Sequence, residues 1–244
     1  MRTRRSSGVT LLELLLAVSL LSLLSVGILT ALRVGLSAMG KADARLIENR
    51  RMAGAQRILS DQIAGFIPVV ANCVPPDERP PMPLPFFQGE PQSMRFVSSY
   101  SLGEGWRGLA RILEFQVIPG ERGAGVRLVV NEHIYTGPGG AGAFCLGTAL
   151  DPQLGLQAPQ FRPIVVGPSS FVLADRLAFC RFSYRELVPL AARERWVQNW
   201  ITPKWPSAVR IDMAPIAADA VQVQPLSITT PIRVDAEPGA GHGG

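Results

Sequence analysis

The chain has 244 residues, of which 47% are hydrophobic and 18% charged, and its formal net charge is +5. This length is sufficient for one folded domain together with a membrane segment and a tail. Removing Arg2, Arg4 and Arg5 lowers the net charge from +5 to +2, and other arginines adjoin acids, as in Arg185-Glu186. Because nucleic-acid binding needs a concentrated basic surface, this charge pattern argues against a nucleic-acid partner.

A long apolar run follows the basic N-terminus. Residues 1–8 read MRTRRSSG, whereas residues 11–32 contain a single charged residue, Glu13. A helix of this length would extend about 33 Å, which is enough to cross the hydrocarbon core of a bilayer. Since the arginines precede the run, the positive-inside rule places the N-terminus in the cytoplasm and the chain beyond about Arg33 on the other side. We therefore expect a single-pass membrane protein.

Two other interpretations of the apolar run are open. A secretory signal peptide has a shorter apolar core, followed by a cleavage site of small residues. Here the run is longer, and Ser37-Ala38-Met39 matches such a site poorly. A plain uncleaved anchor is compatible with the run alone, so the residues before the run have to distinguish these classes.

The junction at residues 7–13 reads SGVTLLE. It resembles the processing motif of type IV prepilins and type II secretion pseudopilins, in which a short basic leader ends in glycine. The resemblance implies that a prepilin peptidase cuts between Gly8 and Val9 and methylates the new amino group of Val9. Glu13 then takes the fifth mature position, where the family has a glutamate. Most members have phenylalanine after the glycine, whereas this chain has valine.

The carboxylate of Glu13 needs a physical explanation of its own. A charged side chain within a membrane span costs about 2.5–3.5 kcal/mol near the centre and less near an end. A free α-amino group at Val9 of a neighbouring helix would be a suitable partner, and the pair would set the axial stagger between fibre subunits. Alternatively, Glu13 reaches the nearby cytoplasmic interface by itself. We favour the intersubunit pair.

Beyond the membrane the pattern predicts more helix and then strands. Apolar residues recur at helical spacing after Leu32, and Pro68 supplies a stop. Proline-rich residues 68–91 predict loops with extended segments. Glycine and proline then separate alternating or β-branched runs, which predict strands. The predicted strands are Met94–Tyr100, Arg111–Ile118, Val126–Tyr135, Phe171–Leu173, Leu177–Arg185, Val209–Met213 and Ala220–Ile228.

These elements predict an α+β fold of the pilin type. A leader of residues 1–8 precedes a long helix at 9–67, whose first half crosses the membrane at about 11–32. The second half of the helix is expected to pack on a mainly antiparallel β domain at 68–230. Residues 231–244 are expected to form a disordered tail.

Three segments of the β domain resemble the J-class minor pseudopilin of type II secretion. They are MRFVSS at 94–99, LAFCRFSY at 177–184 and WPSAVRI at 205–211. The last segment usually begins with leucine, where this chain has Trp205, and residues 135–167 match nothing in that class. The resemblance implies an inner-membrane protein with a periplasmic domain at the tip of a pseudopilus. Its implied partners are the prepilin peptidase, the I-class and K-class minor pseudopilins and the major pseudopilin.

The three cysteines allow one disulfide in an oxidising compartment. Cys180 lies on the apolar face of a predicted strand and is interpreted as a small buried hydrophobe. Cys73 and Cys145 lie in loop-like sequence and are the better disulfide candidates. Trp196, Trp200 and Trp205 are candidate interface anchors, because aromatic residues are enriched at interface hot spots; burial in the core is an equally good interpretation.

Residues that resemble enzyme motifs are present, but the sequence around them is not what each motif requires. Residues 137–142 match G-x-G-x-x-G literally, but no helical pattern follows them, as a dinucleotide site would require. A P-loop is excluded, because neither Lys41 nor Lys204 follows a glycine-rich phosphate loop. For nucleophilic catalysis, His133 lies in an ordinary strand pattern and the sequence has no G-x-S-x-G motif. We therefore expect no enzyme activity, no catalytic residue and no cofactor. Whether a metal ion binds is left open.

The leading hypothesis is a J-type minor pseudopilin that acts by assembly at the tip of a type II secretion pseudopilus. A minor pilin of a type IV pilus or competence fibre would share the same N-terminal chemistry. A membrane-anchored periplasmic enzyme or binding protein is a third hypothesis. It differs from the first two by keeping Met1 and lacking N-terminal methylation.

Overall fold

The computed structural model describes residues 10–74, 80–150, 157–188, 193–216 and 225–232. The chain forms two compact units, residues 1–51 and 52–244, and the boundary between them falls within the first helix. A long apolar N-terminal helix is followed by a mainly antiparallel β-sheet. This arrangement confirms the predicted α+β fold class.

Helix α1 spans Leu11–Ala64. The prediction that it continues to residue 67 is wrong, because Phe66 and Ile67 instead form strand β1, which pairs with Ser98 and Val97. Two local preferences explain the earlier end. Gly65 is a poor helix former, and Ile67 precedes Pro68, which disfavours helical backbone at Ile67.

The first unit contains a helical stretch suited to a membrane. The most apolar 18-residue window of α1 has a mean hydropathy of 2.4, and none of it is buried within the protein. Leucines on every side of this stretch are exposed, from Leu11 and Leu12 to Leu32 and Leu36. A helix that is apolar all round needs an apolar environment, which a bilayer provides.

The second unit is built on a nine-stranded antiparallel sheet. The elements after α1 are β1 Phe66–Ile67, β2 Val70–Cys73, β3 Met82–Pro85, β4 Gln88–Gly89, β5 Ser93–Ser101, β6 Trp106–Pro119, β7 Val126–Ile134, α2 Pro138–Gly142, β8 Cys145–Leu150, β9 Gln157–Phe161, β10 Phe171–Val188, β11 Arg193–Val197, β12 Ala208–Pro215 and β13 Leu226–Pro231. The strand order of the sheet is β1-β5-β6-β7-β10-β12-β13, with β4 paired to β5 and β11 paired to β10. Strands β2 and β3 form a separate hairpin, and so do β8 and β9.

The larger hydrophobic core lies between the sheet and the C-terminal part of α1. Ala55, Leu59 and Ile63 recur at intervals of four residues and are buried in this core, so they form one stripe along the helix. Phe96 on β5 and Phe115 on β6 stack beneath them with ring centroids 5.7 Å apart. The helical spacing of these apolar residues thus places residues 52–64 of α1 on the sheet.

A smaller core lies on the opposite face of the sheet, over β5 and β6. Its buried residues on the sheet are Val97 and Ile112, and they are covered by Phe86, Ala141 and Cys145. The covering residues come from two insertions, one between β1 and β4 and one between β7 and β10. We call the described parts of these insertions (68–74, 80–86, 135–150 and 157–170) the cover; the next residue, Phe87, belongs to the larger core.

Several predicted boundaries differ from the structure. The extended segments predicted within residues 68–91 are β2, β3 and β4, so this part agrees with the prediction. The two strands predicted at 171–185 form one strand, β10, whose register shifts at two irregularities against β7. The last strand is Leu226–Pro231, whereas 217–224 lie outside the described residues. Ile232 is buried, so the predicted tail begins too early; residues 233–244 are outside the described part of the chain.

Strand β4 shows how closely the sheet packs. The Trp200 N–H donates to the Gly89 carbonyl at 2.7 Å. A Cβ on Gly89 would lie 2.8 Å from Trp200 Cβ and 2.8 Å from the Tyr184 ring. Only glycine therefore allows β4 to approach these two aromatic residues, which fill the core beside Phe87.

The N-terminal segment as candidate processing and assembly site

The candidate site begins where α1 begins. Gly8 and Val9 lie outside the described residues. Thr10 precedes the helix, and its Oγ1 accepts a hydrogen bond from the Glu13 N–H at 3.3 Å. This contact is typical of an N-cap, which satisfies a backbone donor that the helix itself cannot pair. The helix therefore starts two residues after the predicted cleavage position.

Glu13 is exposed in the first turn of α1, and it is the only acidic residue of that turn. The N-terminal end of a helix carries partial positive charge, so this position favours a carboxylate. A carboxylate that is not buried by its own chain is accessible to a second molecule. The described part of the chain therefore leaves the Glu13 side chain uncovered.

The hydroxyl groups of the apolar stretch are satisfied within the helix. Ser19 donates to the Leu16 carbonyl at 2.9 Å, and Ser25 donates to the Leu21 carbonyl at 2.8 Å. Ser22, Thr30 and Ser37 make the same kind of bond to carbonyls three or four residues earlier. Paired hydroxyls cost less to place in lipid than free ones, so Glu13 remains the one strongly polar side chain between residues 11 and 32.

Residues 3–29 match the family model for the prokaryotic N-terminal methylation motif. The matched segment contains Gly8, Val9, Glu13 and most of the apolar run. It supports a type IV pilin-like chain with a membrane-anchoring N-terminal helix. Among curated proteins, none is significantly similar to this chain.

The β domain of this pilin-like chain divides the three candidate tryptophans into two groups. Trp200 is 8% exposed, packs against Phe87 and Tyr184 and donates its Nε1–H to the Lys204 carbonyl at 2.7 Å. Trp205 is half-buried against the same core. These two indoles contribute to core packing.

Trp196 has a different environment on β11. It is half-buried, and the Arg210 guanidinium lies 3.9 Å from the centre of its ring. Stacking of an arginine on tryptophan is a favourable cation–π arrangement. Of the three tryptophans, Trp196 is the one that does not belong to the larger core.

The cysteines occupy strands rather than loops. A disulfide joins Cys73, at the end of β2, to Cys145, at the start of β8, with the two Cα atoms 5.2 Å apart. It links the two insertions that form the cover.

Cys180 is buried in the larger core, and burial raises the pKa of its thiol to about 12. A thiol with this pKa carries almost no thiolate at neutral pH and is a poor nucleophile.

A buried ion pair lies between the sheet and the cover. Arg95 on β5 and Glu114 on β6 are 0% and 4% exposed, and Arg95 Nη2 lies 2.7 Å from Glu114 Oε1. Arg95 also donates to Gln88 Oε1 at 2.6 Å and to the Arg162 carbonyl at 2.9 Å. The sequence contained a signal for this pair, because each charge interrupts an apolar strand and the two residues are direct neighbours in the ladder.

The surroundings of the pair fix its protonation. Burial lowers the pKa of the Arg95 guanidinium, and the charge of Glu114 opposes that shift. Burial raises the pKa of Glu114, but the Arg95 charge and the hydrogen bonds from Asn131 and His133 outweigh it, so the pKa lies below its ordinary value. Glu114 is therefore ionised at neutral pH, and His133 is one of its structural partners at 3.1 Å.

The glycine-rich segment at 137–142 forms α2 and packs inside the cover. Strand β8 follows it directly, so the motif does not open a long helix. A Cβ on Gly142 would collide with the Asn72 carbonyl of β2, and this close approach explains the glycine without a phosphate ligand.

A polar surface pocket of about 450 Å³ lies elsewhere on the β domain, and it is lined by Glu90, Pro91, Gln92, Arg181 and Gln198.

Proposed function

We propose that the chain is a minor pseudopilin of a type II secretion system, cut by a prepilin peptidase between Gly8 and Val9 and methylated at Val9. The observation that carries this proposal is the methylation motif at residues 3–29, in register with Glu13 at the start of one long apolar helix. The mature chain would sit in the inner membrane with its β domain in the periplasm. There it would join I-class and K-class minor pseudopilins and the major pseudopilin at the tip of the pseudopilus.

In this proposal Glu13 recognises the free amino group of a neighbouring subunit. The cut creates that amine four residues before Glu13, close to the same membrane depth. An ammonium and a carboxylate attract each other strongly where water is scarce. The pair is absent before cleavage, so processing would permit assembly.

We further propose that the chain acts by assembly and not by catalysis. The thiol of Cys180 is buried and poorly ionised. His133 is hydrogen-bonded to a carboxylate that already neutralises Arg95. The glycine-rich segment is explained by packing. Each candidate for enzyme chemistry therefore has a structural role in the described part of the chain.

The assembly role predicts that Glu13→Gln weakens association with other pilin-like subunits. The amide keeps the size of the side chain but cannot form the ion pair. We expect cross-linked adducts in membranes to fall by roughly tenfold or more, which corresponds to about 1.4 kcal/mol of lost pairing energy. Cross-linking of the full chain, co-expressed with the peptidase and candidate tip subunits, measures this loss.

Asp43→Asn is the matched control, because Asp43 is an exposed acid of the same helix beyond the apolar run. Its adducts should remain at the level of the unsubstituted chain. Equal adduct yields for Glu13→Gln and the unsubstituted chain would contradict the pairing role. Adducts with I-class and K-class subunits support the type II assignment. Adducts only with subunits of a type IV pilus would move the chain to that alternative.

A further inference from the structure

We propose that the cover is a separate cooperative unit that the Cys73–Cys145 disulfide holds shut, so that reduction of this bond opens the cover while the helix–sheet core stays folded. The inference concerns the β domain alone and does not depend on the proposed function. In this proposal the oxidised disulfide keeps the cover packed on one face of β5, β6 and β7, and its reduction lets the cover separate from that face.

The two cores of the β domain are on opposite faces of the sheet. The core under α1 contains Leu59, Phe96 and Phe115, whereas the core under the cover contains Val97 and Ile112 on the sheet side. No buried residue belongs to both clusters among the described residues. Loss of packing in the cover would therefore leave the packing of α1 on the sheet intact.

The hairpins of the cover cannot rely on the main sheet for their strand pairing. Among the described strands, β2 pairs with β3 alone and β8 with β9 alone, in two separate two-stranded sheets. An isolated two-stranded hairpin is at best marginally stable in water. The cover thus depends on its small core, on the disulfide and on a few polar contacts with the sheet.

The polar contacts come from the buried network. Arg95 donates to the Arg162 carbonyl at 2.9 Å, and its guanidinium lies 5.4 Å from the ring centres of Phe144 and Phe161. Asn131 on β7 donates to the Val165 carbonyl at 2.9 Å. All of these partners belong to the second insertion, between β7 and β10.

The disulfide is the covalent bond between the first insertion and the second. Cys73 lies in the first insertion and Cys145 in the second, 72 residues apart in sequence. Cross-linking limits how far the two insertions can separate, because it removes open conformations from the ensemble. The two insertions also pack on each other, because Gly142 of α2 lies directly against the Asn72 carbonyl of β2. We therefore expect β2, β3, α2 and the start of β8 to open together when the disulfide is reduced.

The redox step is an ordinary dithiol–disulfide exchange. A small dithiol gives two electrons to the Cys73–Cys145 bond, the S–S bond breaks, and each cysteine sulfur takes up a proton that the dithiol loses. The dithiol closes to a cyclic disulfide. Cys180 takes no part, because it is buried in the opposite core.

Hydrogen–deuterium exchange of the full chain in detergent tests the inference. After reduction with a dithiol, we expect amide exchange in 70–74, 82–86 and 138–148 to accelerate by roughly tenfold or more, as expected for the opening of one cooperative unit. Exchange in 179–187 of β10 and in 208–215 of β12 should stay within about twofold. Cys73→Ser/Cys145→Ser should reproduce the pattern without reductant.

Cys180→Ala is the control for loss of a cysteine from the other face of the sheet, and it should leave the exchange of the cover unchanged. Acceleration of the cover together with β10 and β12 would overturn the inference, because the cover would then belong to one global unit. Unchanged exchange in the cover after complete reduction would also overturn it. Should the double serine variant fail to fold, reduction of the folded chain gives the same comparison.

Discussion

Gly8→Ala is expected to abolish removal of the eight-residue leader. Glycine lets a protein approach the backbone closely, and an added Cβ obstructs that approach. A peptidase that cuts after Gly8 must bind this backbone directly. Co-expression with a prepilin peptidase, followed by intact mass measurement, should show the mature chain for the unsubstituted protein and only the precursor for the variant.

Gly27→Ala is the matched control for this experiment. Gly27 lies within the apolar stretch of α1, and a Cβ there meets no atom within 4 Å. This variant should be cut as efficiently as the unsubstituted chain. Normal maturation of Gly8→Ala would contradict the assigned cleavage position.

Arg95→Met is expected to lower the free energy of unfolding by about 3–5 kcal/mol, because it leaves the Glu114 carboxylate buried without its ion partner. Methionine approximates the length of the arginine stem but provides none of the bonds to Gln88, Glu114 and Arg162. Denaturant unfolding of the full chain in detergent measures the change. A decrease in the free energy of unfolding of less than about 1 kcal/mol would contradict the description of Arg95 and Glu114 as a buried ion pair.

Two further variants separate the buried pair from ordinary charge effects. Arg127→Met breaks exposed contacts with Glu121 and Asp175, and such surface pairs contribute little to stability. It should unfold close to the unsubstituted chain. Arg95→Met/Glu114→Leu should recover part of the stability lost in Arg95→Met, because replacing both charges with apolar groups removes the uncompensated carboxylate.

The sequence was sufficient for the fold class and for the N-terminal methylation motif. The apolar run at 11–32 and the helical spacing of apolar residues after Leu32, such as Leu59 and Ile63, together predict one helix with two environments. Six of the seven predicted strands, at 94–100, 111–118, 126–135, 171–173, 177–185 and 209–213, lie within or almost within the observed strands. These elements alternate regularly and are bounded by glycine or proline, so local pattern is enough to identify them.

The cover could not be predicted, because its structure depends on contacts between distant segments. Prolines are frequent in residues 68–91, including strand β3, so the sequence predicted loops with extended segments there and not two paired strands. Residues 135–167 do not resemble the J class, and their described part is stabilised by partners such as Arg95, which is 67 residues from Arg162. Long-range polar contacts of this kind leave little trace in a local pattern.

The tryptophans show the same limit. Trp196 and Trp200 are four residues apart, yet the ring of Trp196 packs against Arg210 outside the larger core, whereas Trp200 is 8% exposed within it. Only the pairing of β11 with β10 and the bridge from Gly89 to Trp200 determine which ring is buried. From the sequence alone, interface anchor and core residue are equally good interpretations for each tryptophan.

The N-terminus of the protein isolated from membranes of its own cells tests the central claim most directly. Intact mass combined with N-terminal fragment sequencing should find a chain that starts at Val9 and carries one methyl group on its amine. A chain that still begins with the basic residues before Gly8, without that methyl group, would contradict the assignment as a processed pilin-like subunit.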